Sequence, residues 1–145
     1  MRSDPVNAVV LFVLQWLHVF LAIWWFGSIL VTRVSLWPAL RRLGPETDQD
    51  VRRAMGQVEP RWIHYTTTIG TVALGIIRGA YAGALGRLDE PYGITYLAAA
   101  ALGIAMIGWL HLPLPEAFYN LTMRRIYVAC FPTMFTLMIL MRMGL

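Results

Sequence analysis

The first residue that could do chemistry is His18, which lies in the uncharged run 6–32. An ionisable side chain in the middle of a membrane-length run costs free energy and by default indicates a functional site. A neutral imidazole that faces a bundle interior is an axial ligand for haem iron. This pattern predicts a haem site at His18. Helical spacing places four further residues on the face of His18: Gln15, Ala22, Trp25 and Ile29.

A second interpretation of His18 is purely structural. Histidines inside a membrane bundle also hydrogen-bond to a neighbouring helix without any cofactor. Both interpretations place the imidazole on a buried face, and the residue pattern fits both.

Arg78 is the second candidate, on the face of a later apolar segment that also carries His64, Thr68 and Thr71. A membrane-embedded Arg needs an anion, and no Asp or Glu lies inside any predicted span. Haem propionates are carboxylates, which Arg binds through paired hydrogen bonds. Arg78 is therefore predicted as a propionate partner, with Gln15 and Trp25 beside the haem. Alternatively, Arg78 extends to the outer headgroups.

His64 and His111 are predicted at the cytoplasmic ends of two adjacent antiparallel spans. They could ligate a second haem or a metal from opposite sides. They could equally be interfacial residues beside the aromatic side chains of Trp62, Tyr65 and Trp109.

The last apolar segment carries a stripe of large side chains at helical spacing: Tyr127, Phe131, Met134, Met138 and Met141. Methionines in this pattern usually pack against neighbouring helices. Thioethers also suit Cu(I), or the sixth position of a Met/His haem.

The composition indicates a membrane protein. The 145 residues are 58% hydrophobic, with a mean hydropathy of +0.58, and only 14% are charged. A single Cys, Cys130, excludes an internal disulfide and a multi-cysteine metal site. All 12 basic residues are Arg, so lysine-based catalysis is excluded. The net charge of +4 comes from Arg residues beside apolar segments, which indicates membrane topology rather than nucleic-acid binding.

The elements that must position these residues are four membrane helices, forming an all-α bundle in a single domain over residues 1–145. The expected spans are about 6–32, which could continue with a turn toward Trp37-Pro38, and 61–85, 94–112 and 119–143. A short amphipathic helix is predicted over 48–58, and Pro132 is expected to bend the last span.

The loop charges predict the orientation. Arg residues concentrate in the links between spans one and two and between spans three and four, at positions 33, 41, 42, 52, 53, 61, 124 and 125. These links should face the cytoplasm and both termini the outside. We therefore expect a multi-pass protein of the cell membrane, in a bacterium the inner membrane.

Two segments resemble small four-helix haem-binding membrane proteins, namely the HemJ-type protoporphyrinogen oxidases and the CopD-like copper-resistance proteins. The first is His18 followed by Trp25-Phe26-Gly27, Arg33 and the exit Trp37-Pro38-Ala39-Leu40-Arg41-Arg42. The second is Glu59-Pro60-Arg61-Trp62 leading into Thr66-Thr67-Thr68-Ile69-Gly70. The resemblance implies that His18 binds haem. The later functional lysine of HemJ-like proteins has no counterpart here.

The sequence thus predicts a membrane protein that binds one or two haem b groups and carries out electron transfer or haem-dependent redox chemistry with a membrane partner. One alternative is HemJ-like oxidation of protoporphyrinogen, which would make the chain a membrane oxidoreductase. Others are copper transport and a haem-free accessory subunit of a membrane complex. The small residues of span three would also permit a homo-oligomer.

Overall fold

A computed structural model describes residues 5–58, 61–113, 115 and 121–144. The described residues form helices and connecting turns and contain no β-strand, which confirms the all-helical class. The elements are α1 (Pro5–Leu30), a π-helical segment (Val31–Leu36), α2 (Trp37–Leu43), α3 (Pro45–Val58), α4 (Arg61–Tyr81), a 3-10 helix (Ala84–Arg87), α5 (Pro91–His111) and α6 (Leu121–Arg142).

The first helix is longer than predicted, because the π-helical segment continues it into α2 without a break. The predicted span ends near residue 32, where charged residues begin. Charged residues do not by themselves end a helix, so the helix continues past Arg33. It ends before Gly44, whose φ of 107° is a backbone conformation that residues with a side chain rarely adopt. Helix α3 then begins at Pro45, a residue tolerated in the first helical turn.

Three described helices are long and apolar enough to cross a membrane: Val6–Leu43, Pro91–His111 and Arg125–Arg142. Helix α4, the second predicted span, is not among them. It carries His64, Arg78 and a run of threonines. Many exposed side chains of α1 are large and apolar, among them Phe12, Trp16, Phe20 and Ile23. Water rarely faces such a surface, so a lipid environment fits α1.

Residue contacts divide the chain into two compact units. One unit runs from Trp16 to Thr71 and so holds the second part of α1, the segments through α3 and the start of α4. Within it, α1 packs closely on α4, since a Cβ at Gly70 would come within 2.9 Å of the Leu21 side chain. Helix α3 is joined to α2 by Arg52, whose guanidinium lies 3.9 Å from the centre of the Trp37 ring.

The other unit combines the residues up to Gln15 with the chain from Val72 onward. Its α4 and α5 meet at Gly79, where a Cβ would overlap the Tyr96 ring. Its α5 meets α6 where Trp109 and Tyr127 place their ring centroids 6.0 Å apart. On the predicted stripe of α6, Met134 lies 3.6 Å from where a Cβ of Gly103 would be, which agrees with the packing interpretation of that stripe.

Two further predictions concern the turn and the last helix. Helix α4 ends at Tyr81 and α5 begins at Pro91, so the connection starts about four residues before the predicted end of the second span at residue 85. Within it, Glu90 accepts a hydrogen bond from Arg87 at 2.6 Å. This hydrogen bond and the charge of Glu90 raise the pKa of Arg87 above its ordinary value. Pro132 lies inside α6, while residues 119–120 of the last predicted span lie outside the described residues.

Candidate haem-ligand site

The site is built around a hydrogen bond between α1 and α4, within the unit from Trp16 to Thr71. Nδ1 of His18 lies 2.7 Å from the backbone carbonyl oxygen of Thr71. A carbonyl can only accept, so Nδ1 carries the hydrogen and donates it. In the neutral ring the lone pair is then on Nε2. The structure therefore assigns the tautomer of His18.

Metal-binding histidines typically have this arrangement. Their second ring N–H is usually donated to a carboxylate or a backbone carbonyl, which fixes the tautomer and the ring orientation. The same bond also satisfies the structural interpretation, in which His18 only links two helices. The hydrogen bond is common to both interpretations, and they differ in what Nε2 binds.

Buried threonines lie on the stretch of α4 that ends at the carbonyl partner of His18. Thr68 is fully buried, and Thr67 and Thr71 are almost so. Each hydroxyl donates back to a carbonyl one turn earlier in α4: Thr67 to Ile63 at 2.9 Å, Thr68 to His64 at 2.8 Å, and Thr71 to Thr67. Because these hydroxyls are satisfied within α4, burying them leaves no polar atom in need of water.

Trp25 lies two helical turns after His18 and is 5% exposed, so the predicted face of α1 does turn inward there. Its carbonyl accepts a hydrogen bond from the Ser28 hydroxyl at 2.9 Å. Gln15 is partly buried and belongs to the other unit.

Arg78 lies in the last turn of α4, in the unit that begins at Val72. Its Nε is buried and has no hydrogen-bond partner among the described residues. No carboxylate of the described residues forms an ion pair with it, since the described ion pairs are those of Arg52, Arg53 and Arg87. A cation at this end also complements the helix dipole. Its role toward a propionate stays a prediction.

His64 and His111 belong to different units. His64 is exposed, as are Trp62 and Tyr65 beside it, and this environment agrees with the interfacial interpretation. His111 is the last residue of α5 and is partly buried. The described residues contain no cluster of three or more His, Cys, Asp or Glu side chains that could hold a metal ion.

The Thr71 carbonyl could not be identified from the sequence as the partner of His18. Helical spacing predicts that Thr71 lies on the same face as Arg78, but a backbone carbonyl has the same chemistry at every residue. The available signal was the run of threonines on α4. It indicates the polar stretch of this helix that an imidazole from a neighbouring helix could contact.

No family model, curated protein or solved structure matches the chain. The resemblance to HemJ-type and CopD-like proteins therefore stays a prediction from the two segments quoted above.

Proposed function

We propose that this chain is a four-helix integral membrane protein that binds haem b through Nε2 of His18. The observation that carries the proposal is the 2.7 Å hydrogen bond from His18 Nδ1 to the Thr71 carbonyl. It fixes the ring, and Nε2 would be the nitrogen that holds the haem iron. When bound, haem supplies one-electron redox chemistry.

The chain's own residues have three tasks in this proposal. His18 holds the iron, and the Thr71 carbonyl orients the imidazole and increases its basicity. The buried hydroxyls of Thr67, Thr68 and Thr71 keep this part of α4 polar without exposing it to water. Trp25, two helical turns further along the same face of α1, keeps a large ring buried on that face.

The remaining parts of the proposal rest on the sequence pattern. Arg78 would neutralise a propionate, since the spans contain no carboxylate of their own. His64 and His111 would be ligands of a second haem only if they pair across adjacent spans. The excess of Arg in two links favours a cytoplasmic position for those links, with both termini outside. Electron transfer with a membrane partner is the function that this arrangement favours.

The proposal is tested by removing the ligand and restoring it chemically. The His18→Gly protein should insert but lose its haem absorption, and added imidazole should restore it by occupying the vacated position. The matched control is Thr95→Val, which deletes an exposed threonine hydroxyl that donates only to the Pro91 carbonyl of its own helix, and should retain haem. If His18→Gly binds haem fully without imidazole, His18 is a structural link between helices and not the ligand.

A further inference from the structure

The second feature with functional meaning is an unneutralised arginine pair, Arg41 and Arg42, in the last turn of α2. Both side chains are exposed. From Pro5 to Leu43 the described helix contains three arginines and no acidic residue. Positive charge thus accumulates at one end of a helix that is otherwise apolar.

The neighbouring helix α3 shows the opposite pattern, because its arginines are paired internally. Arg52 donates to both carboxylate oxygens of Asp48, at 3.1 and 3.2 Å, and also covers the Trp37 ring. Arg53 lies 3.8 Å from Asp50. No carboxylate of the described residues is within ion-pair distance of Arg41 or Arg42. Among the described arginines of α2 and α3, only this pair has no carboxylate of the described residues within ion-pair distance.

The position of the pair indicates what that partner is. Arg41 follows Arg33, where the uncharged run ends, by eight residues, or about 12 Å along the helix at 1.5 Å per residue. Helical side chains lean toward the N-terminus, which here is the apolar, membrane end. A membrane surface charge is felt over roughly 10 Å, so both guanidinium groups lie within its range.

We propose that Arg41 and Arg42 bind the phosphate groups of anionic phospholipids at the membrane surface next to α2. Guanidinium groups bind phosphate oxygens through paired hydrogen bonds. In a neutral headgroup the lipid's own cation repels the guanidinium, whereas an anionic headgroup has no such cation. The inference rests on α1 crossing a membrane and does not require haem. The alternative is that the two charges only stabilise the C-terminus of the helix through its dipole, in which case the type of lipid has no effect.

The test is a lipid titration of the purified full-length protein in detergent, with bound lipids counted by native mass spectrometry. Phosphatidylglycerol is the anionic probe and phosphatidylcholine the neutral one. The wild-type protein should prefer phosphatidylglycerol. Each guanidinium near such a charge contributes roughly fivefold, so Arg42→Gln should lower the preference about fivefold and Arg41→Gln/Arg42→Gln about 25-fold.

The matched control is Arg53→Gln. It removes the same charge from the neighbouring helix α3, but from an arginine paired with Asp50. It should leave the preference within about a factor of two. Equal binding of the two lipids, an unchanged preference in the double variant, or an equal loss in Arg53→Gln would each overturn the proposal. If the double variant does not fold, the wild-type preference must still decrease as salt rises, and a preference independent of salt overturns the proposal as well.

Discussion

Helix α4 accepts a side-chain hydrogen bond on its backbone in each of the two units, and the two donors differ. Before Val72, His18 donates Nδ1–H to the Thr71 carbonyl, among buried threonines. Beyond it, the Tyr96 hydroxyl donates to the Ile76 carbonyl at 2.9 Å, beside Gly79. Both bonds join two helices. Only the imidazole has a second ring nitrogen.

The surroundings differ in the same sense. Around Tyr96, contact is made by its ring and Gly79, and small residues of this kind let two helices approach closely. On the α4 side of His18, three threonines are buried and their hydroxyls donate to carbonyls within α4, so polar rather than apolar groups lie there. This difference favours a structural role for the Tyr96 contact and a ligand role for His18.

The largest stability effect is expected at the glycine that makes the Tyr96 contact possible. In Gly79→Ala the new Cβ overlaps the Tyr96 ring, so the helices must separate, at a cost of about 2–3 kcal/mol in unfolding free energy. Unfolding of the detergent-solubilised protein in increasing denaturant measures this cost. Gly27→Ala is the matched control, since a Cβ there meets nothing within 4 Å, and it should not destabilise. Equal stability of the two variants would remove the packing role.

The next effect tests whether the ligand role belongs to His18 or to another histidine of the same unit. His64 is seven residues before Thr71 on α4, roughly 10 Å along the helix axis, so it lies at a different level from His18. His64→Ala should lower the haem-to-protein ratio by at most half, because any second site is separate, and leave the His18 spectrum intact. Complete loss of haem would favour a site centred on His64.

The smallest effect is expected for Tyr96→Phe, which removes one hydroxyl and keeps the ring against Gly79. Losing the hydrogen bond to Ile76 should cost roughly 0.5–1.5 kcal/mol in unfolding free energy. Haem content should not change, because the hydroxyl has no role at His18. A drop in haem absorption with unchanged stability would contradict the division of roles between the two bonds.

Much of the fold could be predicted from the sequence, because long apolar runs determine helices whatever their surroundings. The inward face of α1 is predicted correctly at Trp25, since helical periodicity alone decides which residues share it. The end of the first helix is not predicted correctly. The charge of Arg33 predicts the limit of the membrane span, whereas the helix continues until Gly44 makes its continuation unfavourable.

The candidate site was predictable only in part, for a physical reason. His18 stands out in the sequence because an imidazole in an uncharged run is unusual whatever the fold around it. Its partner is a backbone carbonyl, and the chain offers one at every position. The register of α1 against α4, set by contacts such as Leu21 on Gly70, decides which carbonyl is reached.

The central claim is that His18 binds haem iron, and the absorption spectrum of the purified wild-type protein tests it most directly. The protein should be produced in cells supplied with a haem precursor and measured oxidised and then reduced. Haem ligation by His18 predicts a Soret band, with sharp α and β bands on reduction, at roughly one haem or more per chain. A correctly folded protein with no Soret band in either state would contradict the claim, and His18 would then be a hydrogen-bonded link between α1 and α4.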